Sequence, residues 1–179
     1  MNEENSALIV IDLQNDFTLK TGKAHACASQ ADLIIPKINA LIKTCEQKNI
    51  DVIYFKTEWK NLLVKLLTKN SVKVGSYGAE LDSRLTSDNK SIFVKNNKNI
   101  FSDKHFTEYL QQHKITNLYL SGLAVEFCIN TSFREAQKLK IKTNIVSDLV
   151  ISYKCTDLEP LLGEFFPTDS LILSTNLVK

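Results

Sequence analysis

The sequence predicts a three-layer α/β/α protein, in which a central, mostly parallel six-stranded sheet carries helices on both faces. Short apolar runs alternate along the chain with stretches whose apolar residues recur at helical spacing, which is typical of repeated strand–helix units. A short, fully apolar run is expected of a strand buried on both faces of the sheet. With 179 residues, 44% of them hydrophobic, the chain suffices for one domain, residues 1–179, with a full core.

The strands are predicted from the apolar runs in the order in which they follow along the chain. The first run is Ala-Leu-Ile-Val-Ile, and the second, Asp-Val-Ile-Tyr-Phe-Lys, begins forty residues further on, after a helical stretch. The predicted strands are residues 7–11, 51–56, 91–95, 117–121, 142–146 and 170–174.

Helices are predicted where apolar residues recur every three or four positions. Pro36 is compatible with the first helix if it lies in the first turn. Residues 59–81 are less regular, and we expect a loop with short helical pieces there. The predicted helices are residues 31–48, 104–113 and 129–139.

Composition and charge narrow the class of protein. The 22 basic and 20 acidic residues leave a formal net charge of +2, which gives no electrostatic footprint for nucleic acid or a membrane surface. No segment approaches the roughly 20 apolar residues of a transmembrane helix, and the acidic, polar start does not resemble a signal peptide. The cysteines Cys27, Cys45, Cys128 and Cys155 are widely spaced, so we expect reduced thiols and a cytoplasmic protein.

Three ionisable residues fall at or just after the ends of predicted strands: Asp12, Lys95 and Cys128. In parallel sheets, ligands bind beyond the carboxyl ends of the strands, so these side chains are expected to converge in one crevice. Cys128 also lies at the start of a helix, after a strand and a glycine-containing turn. The free N–H groups and the dipole of such a helix start are expected to lower the thiol pKa and to stabilise an oxyanion.

Four motifs resemble those of the isochorismatase-like cysteine hydrolases, and within them the nicotinamidase-related branch. They are Ile-Val-Ile-Asp-Leu-Gln-Asn-Asp-Phe (9–17), Gly-Ser-Tyr-Gly-Ala-Glu-Leu (75–81), Phe-Val-Lys followed by a phenylalanine (93–101), and the segment 122–136 around the cysteine. Their order and spacing carry the resemblance over most of the chain, from about residue 7 to residue 146.

The resemblance implies a catalytic triad of Asp12, Lys95 and Cys128. In such a triad the cysteine attacks an amide carbonyl to give a thioester, the aspartate moves the proton, and the lysine holds the two charges together. It also implies an oxyanion hole made by the N–H groups of Ala124 and Cys128, and a cis peptide bond between Leu123 and Ala124.

Further residues are implied around the substrate. Gln14 is expected to shape the pocket, and Phe17 and Trp59 to line an aromatic substrate pocket; for Phe17 ordinary core packing is an equal alternative. Asp16 is expected to cap or tie a loop. Residues 98–100 (Lys-Asn-Ile) lack the tyrosine–serine pair that is usual in the family at these positions, which alters the expected pocket wall.

The metal-ligand positions of nicotinamidases are occupied here by Glu58, Lys60 and Ser71. One carboxylate beside a lysine is a poor metal site, because borderline metals require two or three imidazole or thiolate ligands. We therefore expect no catalytic metal and no other cofactor. Lys60 could instead supply a positive charge suited to an anionic substrate.

The resemblance as a whole implies a metal-independent amidohydrolase that cleaves a small, non-peptide amide or ureide and releases ammonia. Two alternatives stay open at this point: a true nicotinamidase that feeds NAD salvage, and a catalytically silent member with a binding or regulatory role. The presence of Cys128 argues against the vinyl-ether chemistry of isochorismatases. Family members commonly form homo-oligomers, which we expect here too, with the loop 59–74 covering the site.

Overall fold

The computed structural model describes residues 5–86 and 91–177. Its centre is one six-stranded sheet in the order β3-β2-β1-β4-β5-β6, and each pair of neighbouring strands is parallel. The predicted six-stranded, mostly parallel sheet is therefore confirmed. The strands are β1 (Asn5–Ile11), β2 (Asp51–Thr57), β3 (Ser91–Lys95), β4 (Ile115–Leu123), β5 (Lys142–Ile151) and β6 (Leu171–Ile172).

Helices cover both faces of the sheet because alternate residues of each buried strand point to opposite sides. Leu8 and Val10 of β1 pack in one apolar cluster with the second helix, whereas Ile9 and Ile11 pack in the other cluster, with the fourth, fifth and sixth helices. This arrangement confirms the predicted three layers. The helices are α1 (Asn15–Thr18), α2 (Ala28–Gln47), α3 (Leu62–Leu67), α4 (Lys104–Gln112), α5 (Asn130–Lys138), α6 (Leu158–Phe165) and α7 (Ser174–Leu177).

One feature of the helices, the position of Pro36, differs from expectation. Helix α2 begins at Ala28, so Pro36 is its ninth residue and lies well beyond the first turn. Pro36 is exposed, and the carbonyl group that a helical proline leaves without a donor can be solvated on that side. The loop between β2 and β3 contains α3 and a short 3-10 turn, Tyr77–Ala79, as the irregular pattern predicts.

The expectation of four reduced cysteines is wrong. Cys27 and Cys155 form a disulfide across a sequence separation of 128 residues, with their Cα atoms 4.8 Å apart. Cys27 caps the start of α2, and Cys155 lies in the connection between β5 and α6. Their proximity arises from the tertiary structure alone, which is why the spacing of the cysteines does not reveal it. Cys45 and Cys128 are not part of a disulfide.

No helix within residues 5–86 and 91–177 is both long enough and apolar enough to cross a bilayer.

Candidate active site

The three predicted triad residues meet at the carboxyl edge of the sheet. Asp12 directly follows β1, Lys95 ends β3, and Cys128 lies in a short π-helical turn, Val125–Ile129, just after β4. Because β3, β2, β1 and β4 are neighbours in that order, their carboxyl ends bring these side chains together. Asp12 adopts a left-handed backbone conformation with φ of 57°, which aspartate tolerates better than most residues.

The Lys95 ammonium is the centre of the cluster. Its Nζ donates to Asp12 Oδ2 at 2.7 Å and to the carbonyl of Asn97 at 3.2 Å, and it lies 3.4 Å from Cys128 Sγ. It also contacts the hydroxyl of Thr57. The side chain of Lys95 is fully buried and that of Asp12 is 2% exposed. A buried cation thus lies between a buried carboxylate and a thiol.

Thr57 completes the cluster, and the sequence reasoning missed it. Its hydroxyl donates to Asp12 Oδ1 at 2.8 Å, so both carboxylate oxygens of Asp12 are bonded. Thr57 ends β2, the strand that lies between those carrying Asp12 and Lys95. The signal that could have found it is its place one residue beyond the second predicted strand.

Gln14 is buried behind this cluster and does not line the cavity beside Cys128. Its side-chain amide donates to the carbonyls of Thr57 (2.9 Å) and Ala79 (2.7 Å) and accepts from the N–H of Thr57 (2.7 Å). Gln14 therefore fixes the backbone of Thr57, and through it the bonding of Asp12.

Asp16 ties down the loop between β2 and β3, in agreement with its expected role. Its carboxylate accepts from the N–H of Val72 at 2.7 Å and from that of Lys23 at 3.2 Å. Gly78 is required beside it, because a Cβ there would lie 2.1 Å from the Asp16 carboxylate. Close packing against Asp16 therefore explains why the second motif has a glycine at position 78.

The charge environment does not lower the thiol pKa, contrary to the expectation from the helix start. Burial, together with the nearby Asp12 carboxylate, raises the pKa of Cys128 to about 12, although Lys95 acts in the opposite direction. For Lys95, burial alone lowers the pKa, but the attraction of Asp12 and Cys128 outweighs burial and leaves the pKa raised. At neutral pH the site therefore holds a protonated thiol beside a charged lysine.

The raised pKa predicts how Cys128 is alkylated. Because only the thiolate reacts, the rate of modification by iodoacetamide should rise about tenfold per pH unit between about pH 6 and 9.5, without a plateau. Glutathione, with an ordinary thiol pKa, is the control, and its rate should already bend away from this slope near about pH 8.5 to 9. Of the two cysteines outside the disulfide Cys45 is buried, so mass spectrometry should find the label on Cys128. A plateau at or below pH 7 would contradict the raised pKa.

The same pKa sets the upper pH limit of this experiment. The folded-state pKa lies above that of the unfolded thiol, so between the two values the unfolded chain binds fewer protons. Stability is therefore unaffected at lower pH and falls as the pH rises above about 9. Folding should be checked by circular dichroism at each pH.

The turn before Cys128 has the expected cis peptide bond, Leu123–Ala124. Gly122 precedes it with φ of +101°, and a Cβ there would lie 2.1 Å from the Ile11 carbonyl oxygen, so the close approach of β4 to the end of β1 requires glycine. The Ala124 carbonyl accepts from the N–H of Phe127 (3.0 Å) and that of Ile129 (3.2 Å). Ala124 and Cys128 share this turn and one cavity wall; their role as an oxyanion hole stays a prediction.

A cavity of about 100 Å³ opens beside Asp12 and Cys128. The structure places Phe17 and Trp59 on its wall, together with Phe127 and Tyr153, which the sequence reasoning did not single out. Phe127 and Tyr153 are in edge-to-face contact, with ring centroids 5.5 Å apart. The cavity thus combines four aromatic side chains with a thiol and a carboxylate, and the buried ammonium of Lys95 contacts both of these groups.

The residues at the family's metal-ligand positions do not fit a metal. The carboxylate of Glu58 lies 3.9 Å from the ammonium of Lys56. Lys60 carries no ligand atom while charged, and Ser71 offers a hydroxyl that has no hydrogen-bond partner among the described residues. Within residues 5–86 and 91–177, no group of three or more His, Cys, Asp or Glu side chains is suitably placed to hold a metal ion.

Comparisons with known proteins agree with this geometry. The model of the isochorismatase domain matches residues 6–165. An N-carbamoylsarcosine amidase from an Arthrobacter species is 21% identical over 185 residues, covering 93% of this chain and 69% of that protein. A nicotinamidase from Acinetobacter baylyi is 27% identical over 179 residues, covering 80% of each chain. The crystal structure of a nicotinamidase from Bacillus subtilis shares the fold, with a TM-score of 0.82 at 23% identity over 94% of this chain and 99% of that one.

Proposed function

Because this chain belongs to the isochorismatase family, we propose that it is a cysteine-dependent amidohydrolase that cleaves a small amide or ureide through a thioester. The broader class, a hydrolase of non-peptide carbon–nitrogen bonds, follows from that membership and from the amidase and nicotinamidase relatives. The observation that carries the finer proposal is the contact of Lys95 Nζ with Asp12 at 2.7 Å and with Cys128 Sγ at 3.4 Å, at the wall of an aromatic cavity.

In the proposed reaction, Cys128 Sγ attacks the amide carbon while its proton passes to Asp12. A raised thiol pKa suits this order, because the thiolate forms only as the carbon–sulfur bond forms. The oxyanion accepts hydrogen bonds from the N–H groups of Ala124 and Cys128. Collapse of this intermediate breaks the C–N bond, Asp12 returns the proton to the leaving ammonia, and water then hydrolyses the thioester.

Lys95 keeps the charge of the cluster balanced during this cycle. Before attack it faces the Asp12 carboxylate, and during attack it lies beside the sulfur as that atom loses its proton; once the carbon–sulfur bond has formed, the negative charge is on the oxyanion. Because both contacts exist in the resting site, little reorganisation is needed as the charge moves.

We propose that no catalytic metal takes part, because Glu58, Lys60 and Ser71 offer an unsuitable set of donors. Nicotinamide remains a second candidate substrate, which the nicotinamidase relatives and the aromatic cavity wall favour. The N-carbamoylsarcosine amidase relative favours a ureide instead.

The test is ammonia release from a panel of small amides and ureides that includes nicotinamide, pyrazinamide and N-carbamoyl amino acids, with and without a chelator. Turnover that survives the chelator, with an acyl adduct on Cys128 after an acid quench, is the expected result. Turnover of nicotinamide that the chelator abolishes would favour the metal-dependent nicotinamidase. If no compound releases ammonia or acylates Cys128, the protein is a silent binding or regulatory member and the proposal fails.

Two further expectations belong to this proposal. We propose a homo-oligomer, since four leucines of the short helix α3 are exposed by 64–82%; molar mass from light scattering tests this.

A cytoplasmic location is proposed from sequence alone. Part of that argument was the expectation of reduced thiols, which the Cys27–Cys155 disulfide contradicts, because disulfides are typical of oxidising compartments.

A further inference from the structure

We propose that Lys98 binds a carboxylate of the substrate, so that the amide or ureide cleaved here belongs to a compound that also carries a carboxylate. The inference rests on the proposed function and names its substrate class. It starts from the position of the Lys98 ammonium, which lies 4.3 Å from the centroid of the Phe127 ring. Lys98 and Phe127 line the same cavity as Cys128.

The backbone that carries Lys98 is held in place on both sides. The carbonyl of Asn97 accepts from Lys95 Nζ at 3.2 Å, and the side chain of Asn97 accepts from the N–H of Asn99 at 2.8 Å. The triad lysine therefore also positions the residue next to Lys98. The aromatic ring beneath the ammonium orients the side chain further.

The charge of Lys98 is not used within the described part of the chain. No carboxylate among residues 5–86 and 91–177 lies within ion-pair distance of its ammonium. The acidic residue nearest to Phe127 in the chain, Glu126, binds the N–H of Tyr153 through both carboxylate oxygens, at 3.1 and 3.0 Å. The charges of Asp12 and Lys95 compensate each other, so Lys98 leaves the cavity with an excess of one positive charge.

A second donor on the same wall also lacks a partner. The indole Nε1 of Trp59 is buried and has no hydrogen-bond acceptor within the described residues. A buried donor without an acceptor is unfavourable, and a ligand oxygen would remove that cost. The Lys98 ammonium and the Trp59 N–H can only donate hydrogen bonds. A carboxylate, which only accepts them and carries the opposite charge, therefore suits this pair of donors better than a neutral or cationic group.

The sequence suggested Lys60 as the positive charge for an anionic substrate, but the location of Lys60 does not support that role. Lys60 does not line the cavity of Cys128 but another surface depression, which it shares with Lys95, Asp103 and His105. The positive charge suited to an anionic substrate is therefore supplied by Lys98. Lys60 becomes the matched control for it.

The experiment compares N-carbamoylglycine and succinamate with their own methyl esters, which lack the negative charge and carry one additional methyl group. Wild-type enzyme should prefer the acids, and Lys98→Met should lower kcat/KM for the acids about 10- to 100-fold, mainly through KM. The esters should change by less than about twofold, because methionine keeps the unbranched stem that packs on Phe127. Lys98→Arg should restore most of the preference, and Lys60→Met should leave it unchanged.

Three outcomes would overturn the inference: equal turnover of acids and esters by wild type, an equal loss for both in Lys98→Met, or the expected loss in Lys60→Met instead. Turnover of neutral amides without a preference for acids would leave the proposed function intact and reject only the role of Lys98. If no amide is turned over, the role of Lys98 can still be tested by measuring binding to the Cys128→Ser variant. Adding Lys98→Met to that variant must weaken binding of the acids and leave binding of the esters unchanged.

Discussion

Replacing Cys128 with alanine is expected to lower kcat/KM at least about 10³-fold, the loss seen when the nucleophile of a covalent mechanism is removed. The Ala124 N–H, the cavity wall and the Asp12–Lys95 pair remain in this variant, so binding of the substrate should survive. The loss should therefore fall on kcat, and no acyl adduct should appear by mass spectrometry. Thermal unfolding should change little, because the substitution removes one sulfur atom at the wall of an existing cavity and leaves the Asp12–Lys95 ion pair intact.

Cys45→Ala is the matched control, because it removes the other thiol that is not part of a disulfide from the buried core, where Cys45 is fully inaccessible. This variant should lose stability through a small cavity yet retain its kcat at 25 °C. Activity of Cys128→Ala above about one hundredth of wild type would reject the nucleophile, since a positioning residue alone gives losses of that smaller size.

Lys95→Met is expected to abolish turnover and also to destabilise the fold, by about 3–5 kcal/mol. The reason is the burial of the pair: Lys95 is fully buried and Asp12 is 2% exposed, so removing the ammonium leaves a buried carboxylate without its cationic partner. The free energy of unfolding from urea titration at pH 7 measures the loss of stability, and the rate of ammonia release measures the loss of turnover.

The double variant Lys95→Met/Asp12→Asn separates stability from catalysis. Asparagine tolerates the left-handed backbone that Asp12 adopts, and the pair becomes neutral at nearly constant volume. Most of the stability should return while activity stays absent, giving a coupling energy of at least about 2 kcal/mol in the double-mutant cycle. A Lys95→Met protein as stable as wild type would show that the pair contributes little, and an active double variant would reject its catalytic role.

The sequence was sufficient to predict which strand ends carry the candidate site residues. A residue directly after a buried strand of a parallel sheet lies at the carboxyl edge of that sheet. Asp12, Lys95 and Cys128 are found together for this reason. The contribution of Thr57 was not predicted, because it depends on β2 lying between β1 and β3. Local sequence patterns do not reveal the order of the strands in the sheet. Tyr153 reaches the cavity from the connection after β5, which carries no motif.

The prediction for the Cys128 thiol failed for a different physical reason. The sequence reveals the helix start and the nearby lysine, both of which lower a thiol pKa, but it does not reveal how deeply the sulfur is buried or which carboxylate faces it. Burial and Asp12 outweigh the other two effects. The Cys27–Cys155 disulfide was missed likewise, since 128 residues separate its halves.

The strand that carries Lys95 has a consequence for how the protein loses activity. Among the described strands β3 pairs with β2 alone and is the edge of the sheet, and two of its five residues, Ile92 and Val94, are 47% and 38% exposed. Edge elements with little burial open locally at a lower free energy than the interior of a domain. Such an opening would remove the ammonium from Asp12 and Cys128 while β1, β2 and β4 stay paired. If β3 opens before the rest of the sheet, activity should be lost at a lower denaturant concentration than the helical signal.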